Sequence, residues 1–520
     1  MPALLTDSRL LAAYSEGAGI YRIIPRAVAI PSSPADVVAV LKRAAAERLP
    51  VTPRGAGSGM AGGNVGRGIV MDMSRGFTDI DIRPERRIAR VGASVTWAQV
   101  NEAARAHGLR LPPDPSSGAF ATSGGMVSTN AAGPRSVQHG SVRPWIEAVE
   151  VVGVDGEIRW IKRGAGSGDR VALTNDDRVA VTGSFPRTRK NSSGYALDAF
   201  VASGDEVDLF IGAEGTLGIV TAVEWRLAPR PAESAGAALG FAGPDALAEA
   251  LPFLAGLRPA AIELMDPSLI QFVNQAGGAV PESVAMLVLV EFERPTAAAA
   301  QGVVGDAVRG VKHLVVHVDT ALDRAGMEQL WTIRHHASPA LSRLPERQRS
   351  LQIIEDGCVP LAQLPDYVIG VRSLAADYRI PVAVFGHAGD GHVHVNVLPD
   401  LGSDGWRQRL HDLYDATSRL QHRLGGTPSG EHGDGRLRAG LLHSFFGTAV
   451  FDLFRRVRQA YDPDSLLNPG VILPAADWDP LADMKVGPDA ARIPGDIAGR
   501  LRDLERHASW STPRQVLAQP

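Results

Sequence analysis

The chain has 520 residues, of which 45% are hydrophobic and 21% are charged, and its formal net charge is −4. This length exceeds what one hydrophobic core supports, so we expect a folded protein of two or three domains. A slightly acidic chain has no basic excess with which to neutralise phosphates, which excludes nucleic acid as the main partner. The single cysteine, Cys358, excludes an internal disulfide framework and a four-thiolate iron–sulfur cluster.

The N-terminal apolar stretch is interrupted by Asp7, Ser8 and Arg9, and later alanine-rich stretches are broken by charged residues and proline. Neither pattern supplies the roughly 20 apolar residues of a membrane helix or the uninterrupted core of a signal peptide. We therefore expect a cytoplasmic protein, and leave peripheral attachment to the inner face of the membrane open.

The first part of the chain predicts short strands, one clear helix and glycine-rich turns. Ser33 is expected to cap a helix that has Pro34 at its first position and runs to about Arg48. Strands are predicted at 51–53, 69–73 and 88–91, and a hairpin at 146–162 around the Asp155-Gly156 turn. Residues 163–190 are polar and are predicted to be an exposed excursion.

Beyond a proline-containing boundary at 228–234, helical and strand patterns alternate, as in an α+β domain with an antiparallel sheet. Helices are expected near 244–256, 296–310 and 323–346, and strands near 286–292 and 312–318. A further apolar helix is expected at 445–461. Residues 476–520 have weak periodicity and are predicted to be a tail.

The segment Pro53-Arg-Gly-Ala-Gly-Ser-Gly59 begins a run with glycines at 55, 57, 59, 62 and 63. Glycines let the backbone turn tightly and present N–H groups at close range to a diphosphate. A Rossmann site would lead from the glycines into a helix, whereas here Asn64 and Val65 lead to another strand. Taken alone, the run is equally compatible with a flexible surface turn.

Two later segments supply more small and hydroxyl-bearing residues. Residues 112–140 are rich in glycine, serine and proline, and an irregular segment of this length is more often functional than disordered. Glu214-Gly-Thr-Leu-Gly218 offers another close approach of backbone to a ligand. We expect these segments and the glycine run to wrap a ligand that contains a diphosphate and ring systems.

The segment 385–396 concentrates imidazoles on a predicted hairpin. A strand at 382–385 ends in a glycine-rich turn beside His387, and a second strand then alternates polar and valine residues. One face of that strand carries His392, His394 and Asn396. Downstream, Gly430-Glu-His-Gly-Asp-Gly435 adds a carboxylate and an imidazole. Clustered imidazoles favour a metal or acid–base site, and solvated histidines on a hairpin are the alternative.

The glycine run, the segment 112–140 and Glu214-Gly-Thr-Leu-Gly218 together resemble the FAD-binding domain of the vanillyl-alcohol-oxidase and p-cresol-methylhydroxylase (PCMH) type. The His387 hairpin, Glu431-His432 and residues 461–469 resemble the C-terminal half of its D-lactate, glycolate and D-2-hydroxyglutarate dehydrogenase branch, and the similarity covers roughly 20–475. The resemblance implies an α+β fold that begins with a two-subdomain PCMH-type FAD-binding domain at 20–230. A ferredoxin-like α+β substrate (cap) domain is expected to follow at 231–445. A C-terminal helical segment at 446–475 is expected to return to the FAD domain, and residues 476–520 are expected to be a tail.

The resemblance also implies a role for each matching residue. His432 is expected to be the base that takes the hydroxyl proton, Arg334 to pair with the substrate carboxylate, and Asn396 to contact the substrate. Ser338 falls where the family can place a hydroxyl. A divalent metal (Zn, Mn or Fe) is expected to be bound by His387, His394 and Glu431.

FAD is expected to be bound non-covalently. The residues that match its binding segments are Arg54, Gly55, Ala56, Gly57, Ser58, Gly59, Gly62, Gly63, Pro113, Asp114, Ser123, Gly124, Gly125, Thr129, Asn130, Gly133, Gly140, Glu214, Gly218, Ile219 and Asn468. His139 invites comparison with members that attach flavin through histidine, but this branch typically does not.

Two departures from the family pattern bear on the site. His392 stands where close relatives often have Asn, and it either adds a metal ligand, replaces a hydrogen bond or points to solvent. The 2-hydroxyglutarate enzymes carry a lysine for the distal carboxylate, whereas the aligned position here, near Ile354, is apolar. That counts against a dicarboxylate substrate unless Arg349 substitutes.

The resemblance implies FAD-dependent oxidation of a small D-2-hydroxyacid, similar to D-lactate, with metal assistance and hydride transfer to flavin N5. Because the chain has no cluster-binding cysteines, electrons are expected to pass to a separate acceptor, either a quinone, a flavoprotein or a cytochrome. The alternatives are a D-2-hydroxyglutarate dehydrogenase, an oxidase, and the FAD-binding subunit of a glycolate oxidase complex. A metallohydrolase would explain the histidines but not the flavin segments. A homodimer is left open.

Overall fold

Residues 2–166, 170–275, 277–336, 341 and 343–519 are described by a computed structural model. Up to residue 230 the described chain forms two main sheets and a short strand pair. Its strands are β1 (Ala27–Ala29), β2 (Val51–Arg54), β3 (Ile69–Asp72), β4 (Ile80–Arg83), β5 (Ile88–Gly92), β6 (Leu109–Arg110), β7 (Ile146–Val152), β8 (Ile158–Lys162), β9 (Ile219–Arg226) and β10 (Ala228–Pro229). A parallel sheet has the order β1-β3-β2, an antiparallel sheet has the order β4-β5-β9-β7-β8, and β6 pairs with β10.

Local signals account for several helices of this part. The helices are α1 (Ser8–Ala13), α2 (Pro34–Glu47), α3 (Trp97–Arg105), α4 (Ser123–Thr129), α5 (Ser136–His139), α6 (Asn175–Ser184), α7 (Leu197–Ser203) and α8 (Val207–Phe210). In α2 the Ser33 hydroxyl accepts the Asp36 N–H, and Pro34 occupies the first turn, as predicted. The glycine loop (residues 54–63) leaves the carboxyl end of β2, where parallel strands commonly present a ligand site.

The second part of the chain forms one antiparallel sheet of seven strands. They are β11 (Glu233–Phe241), β12 (Ala261–Met265), β13 (Met286–Arg294), β14 (Val315–Ala321), β15 (Gly357–Cys358), β16 (Val382–His387) and β17 (His392–Val397), in the order β14-β11-β13-β12-β16-β17-β15. The register pairs Glu263 with His387 and Phe385 with His394. Three neighbouring strands therefore bring acidic and imidazole side chains to one end of the sheet.

Helices cover this sheet and form its core with the strand valines. They are α9 (Pro244–Gly256), α10 (Pro267–Gln275), α11 (Ala297–Val311), α12 (Arg324–His335), α13 (Leu364–Asp377), α14 (Trp406–Arg423) and α15 (Gly435–Arg438). Val393, Val395 and Val397 are buried in that core, as the alternation in β17 predicts. Of the helix expected at 323–346, α12 covers the first part and ends at His335, and residues 337–340 and 342 lie outside the described residues.

The next helix, α16 (Leu442–Tyr461), returns to the first part of the chain. Phe454 packs edge-on against Tyr195 and Phe446, with ring centroids 5.9 Å and 5.3 Å apart. Phe446 belongs to α16 itself, whereas the contact of Phe454 with Tyr195 joins this helix to the core beneath β7 and β9.

The prediction that residues 476–520 form a tail is wrong for the described residues up to 519. They contain α17 (Gly495–Arg506) and α18 (Arg514–Ala518), whose apolar residues Ile497, Leu501, Leu504 and Leu517 pack against Ala12 and Ala13 of α1. The apolar spacing in α17 is helical but its surroundings are charged, which concealed it in the sequence. Within the described ranges, no helix is both long and apolar enough to cross a membrane.

Candidate functional site

A cavity of about 520 Å³ is lined by both parts of the chain. The residues predicted to bind FAD that line it are Arg54, Gly55, Ala56, Gly57, Ser58, Gly59, Gly63, Gly124, Gly125, Thr129, Glu214, Gly218 and Ile219. The lining also includes Arg334, His394, Asn396, Glu431 and His432, which were predicted to carry the chemistry. The fold therefore brings the glycine loop and the histidine segments to one space.

The glycine loop has the shape of a cradle for an anionic group. Gly57 has a φ of +80°, and a Cβ there would lie 2.4 Å from the Arg54 guanidinium. Arg54 is buried and donates to the backbone carbonyl of Glu16 at 2.7 Å, so it braces the loop from behind. The loop thus offers its backbone to a ligand, which fits the diphosphate of FAD.

Glu214 connects this cradle to the loop that follows His432. Its carboxylate accepts the N–H groups of Asp434 and Gly435 at 2.7 Å and 3.0 Å. Burial and the neighbouring Asp434 raise the pKa of Glu214 to about 8. Asn468 lies behind the cavity and donates to the backbone carbonyls of Gly63 and Glu214.

Several residues predicted to bind FAD do not line the cavity. They are Gly62, Pro113, Asp114, Ser123, Asn130, Gly133, Gly140 and Asn468. The Asp114 carboxylate lies 2.5 Å from Arg135, and the Ser123 hydroxyl donates to the Val95 carbonyl at 2.9 Å. The segment was expected to be irregular, but part of it folds into α4 and α5, so that only one face reaches the cavity.

The donor atoms of His387, His394 and Glu431, here called the metal triad, converge. The two Nε2 atoms lie 3.3 Å apart, and they lie 3.3 Å and 3.5 Å from Glu431 Oε1. Ligand atoms bound at about 2.0–2.2 Å to a single zinc-like ion have separations of this size. Two imidazoles and a carboxylate therefore fit a divalent ion with coordination positions left for a substrate.

The rear nitrogen of each triad imidazole has its own partner. His387 Nδ1 lies 2.5 Å from Glu263, and His394 Nδ1 lies 3.0 Å from the Glu355 carbonyl. Such contacts fix the ring and its tautomer so that Nε2 faces the metal position. Burial holds the pKa of His394 well below its usual value, whereas for His387 the Glu263 carboxylate outweighs burial and raises the pKa.

His432 lines the cavity beside the triad, with Nε2 3.5 Å from Glu431 Oε1. Its Nδ1 lies 2.5 Å from Glu355, whose other oxygen pairs with Arg438. Burial lowers the pKa of His432, but the carboxylates of Glu355 and Asp356 outweigh it and raise the pKa to about 10. A divalent cation beside Glu431 would oppose this rise, since it adds positive charge next to the ring.

His392 is buried and does not point to solvent, which removes one of its three alternatives. Its Nε2 lies 2.7 Å from Asp356, and its Nδ1 lies 3.3 Å from the ammonium of Lys190. A lysine only donates, so His392 accepts at Nδ1 and donates from Nε2. This geometry favours the hydrogen-bonding role for His392 over a place among the metal ligands.

Lys190 is the functional-site residue that sequence reasoning missed most clearly. Its ammonium lies 2.8 Å from Glu431 Oε2 and 3.6 Å from Asp390, and the side chain is buried. It ends a polar stretch that was predicted to be exposed, so composition gave no signal for it. Glu263 was also missed, because its place beside His387 depends on the pairing of β12 with β16.

Arg334 and Asn396 both line the cavity. Arg334 Nε donates to Glu263 at 2.9 Å, and its guanidinium carbon lies 4.3 Å from the centroid of the Phe385 ring. Asn396 Oδ1 accepts from the Ser350 hydroxyl at 3.0 Å. The predicted hydroxyl position, Ser338, lies outside the described residues.

Three other residues that the sequence suggested for the site do not line the cavity. Ile354 is buried in the hydrophobic core, and Arg349 donates to Glu505 at 2.7 Å. His139 lies 3.3 Å from Glu293. Arg349 and His139 are thus held by carboxylates of the chain itself.

Comparison with known families identifies both parts of the chain. The profile described as "FAD binding domain" matches residues 25–162, and the profile described as "FAD linked oxidases, C-terminal domain" matches residues 230–472. Among solved structures, 4-ethylphenol oxidase from Gulosibacter chungangensis has a TM-score of 0.65 at 15% identity, covering 91% of this chain and 94% of that one. This likeness confirms the expected α+β, PCMH-type fold.

Three relatives align with this chain over most of its length. A D-lactate dehydrogenase from Archaeoglobus fulgidus is 30% identical over 87% of this chain and 93% of its own length. A glycolate oxidase subunit GlcD from Bacillus subtilis is 29% identical over 86% of this chain and 89% of its own. A D-2-hydroxyglutarate dehydrogenase from Pantoea ananatis is 27% identical over 87% of this chain but only 48% of its own.

Proposed function

Because the chain belongs to the family of FAD-linked oxidases, we propose that it oxidises a D-2-hydroxyacid similar to D-lactate to the 2-oxoacid. The observation that carries this proposal is the shared cavity, in which the glycine loop faces His394, Glu431 and His432. A metal site alone would also suit a hydrolase. Its position beside a cradle for FAD favours oxidation of a bound alcohol.

The cofactors and the protein divide the chemistry. When bound, FAD accepts the hydrogen and electron pair from C2, and a divalent ion held by the metal triad lowers the pKa of the substrate hydroxyl. His432 takes the hydroxyl proton at Nε2, because its Nδ1 is engaged by Glu355 at 2.5 Å. Glu355 thereby stabilises the protonated ring and holds its orientation, as the acid of a catalytic triad does.

Arg334 binds the carboxylate of the substrate and so orients the substrate. A planar guanidinium binds a carboxylate through two parallel hydrogen bonds, and the ion pair with Glu263 keeps the Arg334 side chain in place. Glu263 also holds His387, so the carboxylate anchor and the metal triad share one support. Asn396 also lines the cavity, which supports its proposed contact with the same substrate.

We further propose that the electrons leave to a separate acceptor, either a quinone, a flavoprotein or a cytochrome. Cys358 is the single cysteine and is buried, so the chain cannot hold a thiolate iron–sulfur cluster of its own. The alternative of an FAD-binding subunit without its own catalysis is less favoured, because Arg334, His432 and the metal triad are all present.

Anaerobic titration of the FAD-loaded protein with D- and L-2-hydroxyacids tests the proposal through bleaching of the flavin absorbance. We expect D-hydroxyacids to bleach the flavin, and His432→Asn to retain FAD while bleaching about 10²–10⁴-fold more slowly. His443→Asn, at an exposed histidine of α16, is the control and should behave as wild type. The proposal fails if no hydroxyacid reduces the flavin. Rapid reoxidation in air would favour an oxidase.

A further inference from the structure

The C-terminal helix α17 and the residues after it form a wall of the same cavity. Arg502, Glu505, Ala508 and Trp510 line it together with the glycine loop and the histidine residues. Trp510 packs with Ala18, Leu504 and Met60 of the glycine loop in a small hydrophobic cluster. These residues lie beyond 230–472, the range matched by the C-terminal family profile, so the family comparison assigns them no role.

A short polar path joins this wall to the proposed substrate position. Asn396 accepts from the Ser350 hydroxyl at 3.0 Å, and the adjacent Arg349 donates to Glu505 at 2.7 Å. Glu505 lies 3.3 Å from Arg502. Ser350 and Arg502 both line the cavity, so a ligand that contacts Asn396 lies in the same cavity as the Arg502 side chain.

The two carboxylates that pair with Arg502 are shared with other cations. Ion pairs join six charged side chains, namely Arg349, Lys485, Arg502, Arg506, Glu346 and Glu505. Four cations thus share two carboxylates, and of this group Arg502 and Glu505 line the cavity. The Arg502 side chain is only 13% exposed and faces the cavity, so its charge acts on a bound ligand with little screening by water.

We propose that Arg502 determines substrate specificity by binding a second carboxylate, at the end of the substrate remote from the 2-hydroxyacid group. A guanidinium matches a carboxylate in shape and charge, and each carboxylate that already pairs with Arg502 is shared with other cations. The substrate class is then a D-2-hydroxy dicarboxylate rather than a monoacid such as D-lactate, and Arg502, not Arg349, supplies the cation for the second carboxylate. This inference rests on the proposed hydroxyacid oxidation and deepens it.

Matched substrates and matched variants test the inference. D-2-Hydroxyglutarate and D-2-hydroxyvalerate have the same number of carbons and differ by a terminal carboxylate in place of a methyl group, as do D-malate and D-2-hydroxybutyrate. We expect wild type to prefer the dicarboxylate of each pair. The ratio of kcat/KM for diacid over monoacid should fall at least about 10-fold in Arg502→Met, since an ion pair with the substrate is lost.

Arg506→Met is the matched control, because Arg506 lies on the same helix and also pairs with Glu346, at 2.8 Å, but does not line the cavity. Its ratio should stay within about 2-fold of wild type. Glu505→Gln should raise the ratio, since it removes a carboxylate that competes for Arg502, and loss of folding cannot produce such a gain. Arg502→Lys should retain part of the preference.

Calorimetric titration of the FAD-loaded protein with glutarate and valerate gives a readout that does not depend on turnover. Glutarate should bind more tightly than valerate to wild type and lose that advantage in Arg502→Met. The inference is overturned if wild type favours the monoacids, or if Arg502→Met and Arg506→Met change the ratio equally. If none of the four hydroxyacids reduces the flavin, the proposed function itself fails, whatever the binding data show.

Discussion

Replacing Lys190 by methionine tests how a buried lysine and a metal ion share the Glu431 carboxylate. The Lys190 ammonium lies 2.8 Å from Glu431 Oε2 and 3.3 Å from His392 Nδ1, and all three side chains are buried. Methionine has similar length but no charge. We expect FAD-loaded Lys190→Met to bind a divalent ion about 10-fold more tightly than wild type.

Two opposing effects set this magnitude. Like unit charges about 4 Å apart repel by about 4 kcal/mol at an effective dielectric constant near 20, and this repulsion disappears in the variant. Losing a hydrogen-bond donor behind a metal ligand typically weakens binding about 10–100-fold, or about 1.4–2.7 kcal/mol. The charge effect exceeds the positioning effect by more than about 1 kcal/mol. His392 Nδ1, no longer engaged by Lys190, also becomes available as a ligand.

Competition with a chromophoric chelator for Zn²⁺ measures the dissociation constants. Lys485→Met is the control, because Lys485 is also buried and paired, 3.3 Å from Glu505, but is not part of the metal triad's surroundings. It should bind Zn²⁺ as wild type does. Equal or weaker binding by a folded, FAD-loaded Lys190→Met protein would refute the reasoning and show that positioning of Glu431 outweighs the charge.

Three further predictions concern the cradle and the substrate anchor. Burial and Asp434 raise the pKa of Glu214 from its usual 4.5 to about 8, so ionisation of Glu214 lowers the stability of the folded protein as the pH rises through this window. The melting temperature of Glu214→Gln should therefore depend less on pH between about 4.5 and 8 than that of wild type. The same pH dependence in both proteins would contradict this. Arg334→Lys should lower kcat/KM at least about 10-fold with FAD content unchanged, since a lysine cannot bind a carboxylate through two parallel hydrogen bonds. Unaltered kinetics would show that Arg334 does not bind the substrate carboxylate. Gly57→Ala should reduce the flavin-to-protein absorbance ratio, because φ at Gly57 is +80° and the added Cβ would lie 2.4 Å from a guanidinium nitrogen of Arg54. Full FAD content in this variant would contradict the role of the glycine loop in binding FAD.

Features that depend on neighbouring residues could be predicted from the sequence. The Ser33 cap and Pro34 fix the start of α2 because capping involves residues three positions apart. The alternation in 392–397 indicates the buried valine face because the period of a strand is two. The convergence of His387 and His394 follows from the same hairpin, whose two strands are adjacent in the chain.

Features that depend on pairing between distant segments could not be predicted in this way. Glu263 reaches His387 through the register of β12 with β16, and 124 residues separate the two. Lys190 reaches Glu431 across 241 residues from a polar stretch whose composition is typical of a surface loop. Nothing in the local pattern of either segment specifies its partner, because periodicity indicates which face is buried but not against what.

The loop Glu431–Gly435 contacts both halves of the site. Its first two residues face the metal triad and the substrate cavity, whereas the N–H groups of Asp434 and Gly435 donate to Glu214 beside the glycine loop. Gly435 has a φ of +53°, and a Cβ there would lie 1.9 Å from the carbonyl oxygen of Ala61. The backbone therefore touches the glycine loop within three residues of His432. A substitution at Gly435 should displace the proton-accepting ring and the FAD cradle together, so flavin content and the rate of flavin reduction should fall in the same variant.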